Sequence, residues 1–331
     1  MVSRDLIQGI CFLSQTAVGL VGNSFLLTVH VFLHPQLHQP KPTDLIVSHL
    51  ALVHTVMLLT RVVTVTVSAL GLRQLQTNIG CKMLAFVYRT TRGVSMGTTS
   101  LLSATQAITV CSGHPSWARL KVRIAKRIFP ACVSIWFINL LVEANLLMKI
   151  VLSPNVTSRE NSFHDNYCVV SRISTSLSAL LQGLFLTLMT VRDVLSLGLM
   201  GSSSGYMILL LLHHSRRVHH LHGHRLTPRI SPETRATQTI LLLVSCFVVF
   251  YSGDFVLSFL LGTMLRNDPF LLVISQFVVS GYPTISPFVL LNSHCQVTKL
   301  LGSFLGKKRP HPLKYSIAVM ENNPLPWKDS A

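Results

Sequence analysis

The sequence predicts an all-α membrane protein, a bundle of seven transmembrane helices with the N-terminus outside and the C-terminus in the cytoplasm. Three observations lead to this fold class. Hydrophobic residues make up 49% of the 331 residues and charged residues only 12%, whereas soluble domains carry about 25% charged residues. Seven stretches are long and apolar enough to cross a hydrocarbon core of about 30 Å. Lys and Arg are also distributed unequally between the two sets of segments that join these stretches.

The first four spans are apolar runs separated by polar or proline-containing segments. The first run is longer than a signal-peptide core and has no small-residue cleavage site, so we interpret it as an uncleaved span. Pro35, Pro40 and Pro42 interrupt the helix before the second span, and a basic loop precedes the fourth. These spans are predicted at residues 6–33, 45–72, 81–110 and 128–152.

The last three spans are delimited by helix-starting and helix-breaking residues. The apolar run that holds the fifth is too long for one straight crossing, so we place the start of that span near Gly183. Ser231-Pro232-Glu233 supplies a capping hydroxyl, a proline at the first helical position and a carboxylate in the first turn. Pro283 and Pro287 are expected to kink the seventh span. These spans are predicted at residues 184–212, 236–261 and 270–291.

This assignment divides the chain into a seven-span domain, residues 1–292, and a basic cytoplasmic tail, residues 293–331. Apolar residues recur at helical spacing near residues 296–305, beside lysines. The pattern predicts a short amphipathic helix on the membrane surface.

The basic residues determine the predicted orientation. One set of connecting segments, with the C-terminal tail, holds 17 Lys and Arg, and the other set holds seven. The positive-inside rule makes the first set cytoplasmic. Asn155, in an N-x-[ST] glycosylation motif, then lies outside, as do Cys81 and Cys168. Because both cysteines share the oxidising side, we expect a disulfide between the long outer loop and the third span, with two free thiols as the alternative.

Apart from Lys82 and Lys149 at the ends of spans, which are counted with the outer segments, seven charged side chains fall inside the predicted spans, in the outer half or near the midplane. Each would cost about 2.5–3.5 kcal/mol near the bilayer centre if it faced lipid, so these groups should face protein or water. Their shared depth favours a water-accessible pocket that opens outward, and structural pairing is the alternative for any one of them. One excess positive charge favours a polar or anionic ligand. The candidate ligand-binding residues are Arg61, Arg89, Arg92, Glu143, Arg192, Asp193 and Asp254.

Several other functions find no support in the sequence. The formal net charge is +17, but no nucleic-acid-binding motif accompanies it. The six histidines between residues 213 and 224 lack the cysteine or carboxylate pattern of a metal site and are interpreted as a solvated cytoplasmic face. No catalytic motif indicates an enzyme, and no inverted repeat indicates a transporter. We expect neither a metal nor a cofactor.

Motifs between Gly22 and Leu291 resemble those of a known family. The motifs include Gly22-Asn23-Ser24, Gly80-Cys81-Lys82, Arg92-Gly93-Val94-Ser95, Gln106-Ala107-Ile108-Thr109, Ser231-Pro232-Glu233-Thr234 and Pro283-Thr284-Ile285-Ser286-Pro287. In their order and spacing these segments resemble the vomeronasal type 1 receptors, a family of G-protein-coupled pheromone receptors. Phe86, Tyr88 and Cys111-Ser112-Gly113 depart from the family pattern. The bitter-taste receptors are the alternative receptor class.

The resemblance implies a multi-pass receptor of the plasma membrane bilayer. Such a receptor binds small odorous or pheromonal molecules and signals through a heterotrimeric G protein of the inhibitory type. The residues expected to face the G protein lie at the inner end of the third span and in the basic inner loops. They are Gln106, Arg119, Lys121, Arg216, Arg217 and Arg235.

Overall fold

The computed structural model describes residues 2–33, 42–69, 78–110, 115–152, 168–170, 176–221, 232–263 and 269–293. Within these ranges the chain forms seven long helices and one small antiparallel sheet. The helices are α1 (Val2–Thr28, continued by a π-helical turn at Val29–Leu33), α2 (Pro42–Ala69), α3 (Asn78–Val110), α4 (Pro115–Lys149), α5 (Ser176–Leu221), α6 (Pro232–Thr263) and α7 (Pro269–Ser293). The strands are β1 (Ile150–Leu152) and β2 (Cys168–Val170).

Six of these helices contain a segment that is long and apolar enough to cross a membrane. The segments are Ile7–Val31, Thr43–Thr64, Arg123–Ala144, Gly183–His213, Thr237–Leu257 and Val273–Leu291. Large apolar side chains on α1, α4, α5 and α6 point away from the bundle, among them Val21, Phe137 and Leu195. The all-helical bundle and these six segments are those of a multi-pass membrane protein.

Helix α3 is the exception because many of its side chains are polar. It has 33 residues, which at 1.5 Å per residue give about 50 Å and suffice to cross the bilayer. The helix lies at the centre of the bundle, where it contacts α2, α4, α5 and α6. Its polar face is therefore covered by protein. The buried polar residues of α3 are Thr90, Thr91, Ser95, Thr98, Thr99, Ser100, Ser103, Thr105 and Gln106.

Several helix ends differ from the predicted spans. Helix α4 ends at Lys149, and Ile150–Leu152, predicted as the end of the fourth span, pairs as a strand with Cys168–Val170. Two of these three residues, Ile150 and Val151, are β-branched and suit a strand. Helix α4 also begins at Pro115, a residue favoured at the first helical position, and α5 continues to Leu221. The basic residues predicted in two inner loops thus lie largely on helices.

The predicted tail, residues 293–331, falls almost entirely outside the described ranges, and the amphipathic helix near residues 296–305 lies wholly outside them. Both remain predictions.

Helices α1 and α7 meet closely where small and polar residues face two prolines. A Cβ added to Gly19 would lie 2.8 Å from Leu58 Cδ1 and 2.9 Å from Thr284 Oγ1, so glycine is needed for this approach. Pro287 has no N–H to donate to the carbonyl of Pro283, four residues earlier. The side chain of Asn23 replaces that donor, with Nδ2 2.8 Å from the Pro283 oxygen. Pro287 is thus accommodated by a hydrogen bond from α1.

Candidate functional site

The central charged contact of the bundle joins α3 to α6. Arg92 Nη2 lies 2.6 Å from Asp254 Oδ2. The Asp254 side chain is 7% exposed and the Arg92 side chain 38%. The Arg92 guanidinium also lies over the ring of Tyr251, 5.1 Å from the ring centroid. Because a buried carboxylate is stable only when it is paired, Arg92 both holds α6 against α3 and neutralises Asp254.

A second cation lies one helix away, on α2. The Arg61 guanidinium stacks over the ring of Tyr88 on α3 at 5.4 Å from the centroid. Among the described residues, neither the Arg61 Nε nor the Tyr88 hydroxyl, both buried, has a hydrogen-bond partner. Eight other buried side-chain atoms in the described ranges also lack a partner, but these two lie close together at one contact between α2 and α3. They are two donors that a bound molecule would satisfy.

A small cavity lies beside the Arg92–Asp254 pair. Its walls come from α2, α3, α6 and α7, and its volume is about 10 Å³, which is room for about one water molecule. A larger ligand therefore enters only when side chains or helices move apart. The lining residues are Met57, Tyr88, Arg92, Phe250, Tyr251, Asp254, Val278, Val279 and Tyr282.

Three of the remaining charged residues, Glu143, Arg192 and Asp193, form a separate cluster between α4 and α5. Arg192 Nη1 lies 3.3 Å from Glu143 Oε1 and donates to Asn139 Oδ1 at 2.9 Å. Arg192 Nε donates to Asp193 Oδ1, also at 2.9 Å. Gly93 on α3 makes room for this cluster, since an added Cβ would collide with Asn139 Oδ1 and lie 2.8 Å from Arg192 Nη1.

The seven predicted ligand-binding residues are thus divided. Arg92 and Asp254 line the cavity, and Arg61 contacts the cavity residue Tyr88. Arg192, Asp193 and Glu143 pair with one another at another interface and do not line it. Arg89 is exposed and does not line it either. The structure therefore brings three of the seven together around one cavity.

Next to the cavity, uncharged polar residues join three helices, and none of them is among the ligand-binding residues predicted from the sequence. His54 on α2 is fully buried, with Nε2 2.8 Å from Ser95 Oγ on α3 and Nδ1 2.8 Å from Ser286 Oγ on α7. The Tyr282 hydroxyl lies 2.9 Å from Thr99 Oγ1 on α3. A histidine within an apolar span is itself a signal of function. His54 in the second span is therefore the feature of the sequence that could have revealed this junction.

An aromatic cluster connects the cavity with these hydrogen bonds. The rings of Phe247 and Tyr251 stack with centroids 4.0 Å apart, and Tyr282 meets both edge-on, at 5.1 and 5.9 Å. The same Tyr282 ring lies 5.1 Å from the imidazole of His54. Tyr251 and Tyr282 line the cavity, so a movement of the cavity wall is also a movement of this cluster.

The other predicted site residues are placed only by their helices and strands. Cys81 is in the first turns of α3, and Cys168 begins β2, but neither side chain is described. Asn155 lies outside the described ranges. Gln106 is buried near the C-terminal end of α3. The remaining predicted G-protein contacts are on α4, α5 and α6: Arg119, Lys121, Arg216, Arg217 and Arg235.

The bundle and its polar centre define a multi-pass helical membrane protein with a charged site inside the membrane. The chain belongs to the vomeronasal organ pheromone receptor family, whose family model matches residues 6–303. This confirms the resemblance seen in the sequence motifs.

Individual relatives agree with this assignment over nearly their whole length. The chain is 36% identical to vomeronasal type-1 receptor 42 of Mus musculus over 302 residues, which cover 91% of this chain and 90% of the relative. It is 34% identical to vomeronasal type-1 receptor 3 of Homo sapiens over 313 residues, 94% of this chain and 99% of the relative. It is 36% identical to vomeronasal type-1 receptor 1 of Gorilla gorilla gorilla over 306 residues, 92% and 85% of the two chains.

Proposed function

We propose that this protein is a chemosensory receptor of the plasma membrane that binds small pheromone or odorant molecules between α2, α3, α6 and α7 and activates a heterotrimeric G protein of the inhibitory type. It acts by binding and conformational change and not as an enzyme. The observation that carries the proposal is the Arg92–Asp254 pair at a cavity where Arg61 Nε and the Tyr88 hydroxyl, both buried, have no partner among the described residues.

Before a ligand binds, the two charged side chains that line the cavity are already paired with each other. Asp254 satisfies Arg92 in the structure, so a polar or anionic ligand competes with Asp254 for the guanidinium and gains Arg61 and Tyr88 as further donors. Hydrogen bonds to charged groups are worth about 1.5–3 kcal/mol. A ligand shifts a conformational equilibrium only by its difference in affinity for the two states. Because the cavity holds about one water, a ligand binds only to a conformation in which the cavity is wider. The ligand therefore stabilises that conformation.

The aromatic cluster gives the binding event a route toward the other end of the bundle. A wider cavity displaces Tyr251 or Tyr282, and Tyr282 is hydrogen-bonded to Thr99 on α3. Two turns further along α3 lies Gln106, at the end that we assign to the G protein. Two arrangements of a packed interface, each favoured by one state, are the usual basis of such switching.

In the proposed orientation of the receptor, the N-terminus lies outside and the basic helix ends lie in the cytoplasm. Arg123, Lys126 and Arg127 on α4 are exposed, as a cytoplasmic basic surface requires, and they follow the positive-inside rule. On the outer side we propose the disulfide between Cys81 and Cys168 and glycosylation of Asn155. The contacts of α3 with both β1 and β2 support the disulfide.

A response assay in cells tests the ligand site. The receptor is expressed with a calcium-coupled G protein, and a panel of small carboxylic acids, sulfonates, alcohols and amines is applied. For an active compound, Arg92→Gln should raise the half-maximal concentration at least about tenfold, the equivalent of one charged hydrogen bond. Arg89→Gln removes an exposed arginine from the same helix and is the matched control, expected to change it less than about threefold. Equal responses of wild type and Arg92→Gln, at equal surface expression, would refute the site.

A further inference from the structure

A second crevice, which shares no lining residue with the Arg92 cavity, lies between α2 and α4. Its volume is about 230 Å³, far larger than the cavity beside Arg92. Three of its wall residues are exposed, Phe129 at 67%, Val133 at 52% and Leu45 at 46%, and Cys132 lies at its base at 6%. The crevice therefore opens to the surroundings of the bundle. Its lining residues are Leu45, His49, Phe129, Cys132, Val133 and Trp136.

The polar atoms at the base of the crevice are already used. The Thr98 hydroxyl donates to the carbonyl of Val94 at 2.7 Å, so it accepts from His49 Nδ1 at 3.1 Å. The other ring nitrogen of His49, Nε2, then accepts from the indole Nε1 of Trp136 at 2.7 Å. With these groups satisfied, the crevice presents apolar surface, and an apolar chain fits it without leaving a buried polar group unpaired.

A cation, Lys126, lies on α4 one helical turn before Phe129, the first residue of that helix to line the crevice. Lys126 is exposed and lies three residues before Phe129 and seven before Val133, so the helical repeat places it one turn beyond the lining residues and toward the same side of α4. The next residue, Arg127, is also exposed, but at about 100° per residue it lies on the opposite side of α4 from the centre of the crevice. An apolar slot with a cation one helical turn beyond it matches a molecule with an apolar tail and an anionic head.

We propose that this crevice is a binding site for an anionic phospholipid of the cytoplasmic leaflet, with an acyl chain between α2 and α4 and the phosphate on Lys126. Anionic lipids are concentrated in that leaflet, and basic pockets between transmembrane helices bind their head groups. The site is separate from the proposed ligand cavity. It connects with α3 through the bond between His49 and Thr98, so an occupant braces α2 and α4 against the helix that carries Arg92.

Lipid retention on the purified full-length receptor tests the proposal. The receptor in detergent is mixed with equal amounts of palmitoyl-oleoyl phosphatidylserine and phosphatidylcholine, and the bound lipid is counted by native mass spectrometry. One lysine near the surface is worth about fivefold in affinity for anionic lipid, so wild type should retain phosphatidylserine about fivefold over phosphatidylcholine. Lys126→Gln should abolish that preference, and the matched control Arg127→Gln should keep it.

A second set of variants tests the crevice and separates occupation from general charge. Cys132→Phe fills the base and should reduce retention of both lipids at least about threefold, whereas Cys132→Ser keeps the volume and should not. If Cys132→Phe does not fold, quenching of tryptophan fluorescence by phosphatidylserine with a brominated acyl chain replaces it. Quenching should then be lost in Trp136→Phe and in no variant of the other two tryptophans.

Three results would overturn the proposal. Equal retention of the two lipids by wild type would contradict the proposed contact between the anionic head group and Lys126. Equal losses in Lys126→Gln and Arg127→Gln would indicate diffuse attraction to the basic end of α4. Unchanged retention in a folded Cys132→Phe variant, or quenching that does not depend on Trp136, would place the lipid elsewhere.

Discussion

His54 on α2 and Ser95 on α3 form a buried hydrogen bond at the centre of the bundle, with His54 Nε2 2.8 Å from Ser95 Oγ. The other ring nitrogen meets Ser286 of α7 at the same distance. A neutral imidazole has one donor and one acceptor nitrogen, so one ring satisfies two neighbouring helices at once. Ser95 lies one helical turn from Arg92, and the His54 ring contacts the cavity residue Tyr282, so this junction adjoins the proposed ligand cavity.

The contacts of His54 at this junction predict that removing its imidazole lowers the stability of the receptor. Hydrogen bonds between membrane helices average about 0.6 kcal/mol each and reach about 1.7. His54→Ala loses two such bonds and the ring contact with Tyr282, so we expect a loss of about 1–3 kcal/mol of stability. Thermal denaturation of the purified receptor measures it. Thr55→Ala is the control, because within the described ranges Thr55 bonds only to the Ala51 carbonyl of its own helix. Equal melting temperatures for the two variants would show that the junction contributes no stability.

The pair between Arg92 and Asp254 predicts coupling between α3 and α6. Removing one partner of a buried pair costs about 3–5 kcal/mol, and the 38% exposure of the Arg92 side chain should lower that figure. Asp254→Asn and Arg92→Gln should each destabilise the receptor, and the double variant should be less destabilised than the sum. A double-mutant cycle on thermal stability measures the coupling energy. Strict additivity would contradict a direct interaction.

The close packing around Gly93 predicts that a larger residue at this position destabilises the second charged cluster. Gly93→Ala places a methyl group against Asn139 and Arg192, and overpacking of this kind costs about 1–3 kcal/mol. The change should lower surface expression and thermal stability together. Gly201→Ala and Gly205→Ala are matched controls on α5, since an added Cβ at either position meets nothing within 4 Å. An equal effect at all three glycines would mean that the α3 contact is not the cause.

The sequence predicts the helices better than it predicts their partners. Apolar length is a local property, so six spans are recognisable from hydropathy, and α3 is predicted although its buried polar face lowers its hydropathy. Arg89 and Arg92 lie three residues apart, a spacing that by itself puts both near one face of α3. That spacing still separates them by about 60°, enough for Arg92 to reach Asp254 while Arg89 is exposed.

The division of the charges into two clusters could not be read from depth along the helices. Depth says which charges are level with one another, but the crossing of helices decides which of them meet. Arg192 lies at the depth of the predicted pocket, but its guanidinium contacts α4, where it donates to Asn139 and pairs with Glu143. Likewise, His54 and Ser286 are 232 residues apart, and no local pattern connects them.

The contact between Asn23 and the backbone of α7 allows a prediction with its own rescue. Pro287 leaves the Pro283 carbonyl without its helical donor, and Asn23 Nδ2 supplies one at 2.8 Å. Asn23→Leu should therefore leave a buried acceptor unpaired, at a cost of about 1–3 kcal/mol, seen as a lower melting temperature. Ser24→Ala, at an exposed neighbouring position, should have little effect.

Restoring the backbone donor should reverse that loss. Pro287→Ala returns an N–H to α7 that can bond to the Pro283 carbonyl as in an ordinary helix. In the Asn23→Leu background this second change should recover most of the melting temperature, although it opens a little space beside Gly22, which faces the proline ring. In the wild-type background it should not stabilise, because Asn23 already satisfies the carbonyl. If the double variant is no more stable than Asn23→Leu alone, Asn23 contributes through packing and not as the replacement donor for the carbonyl that proline leaves free.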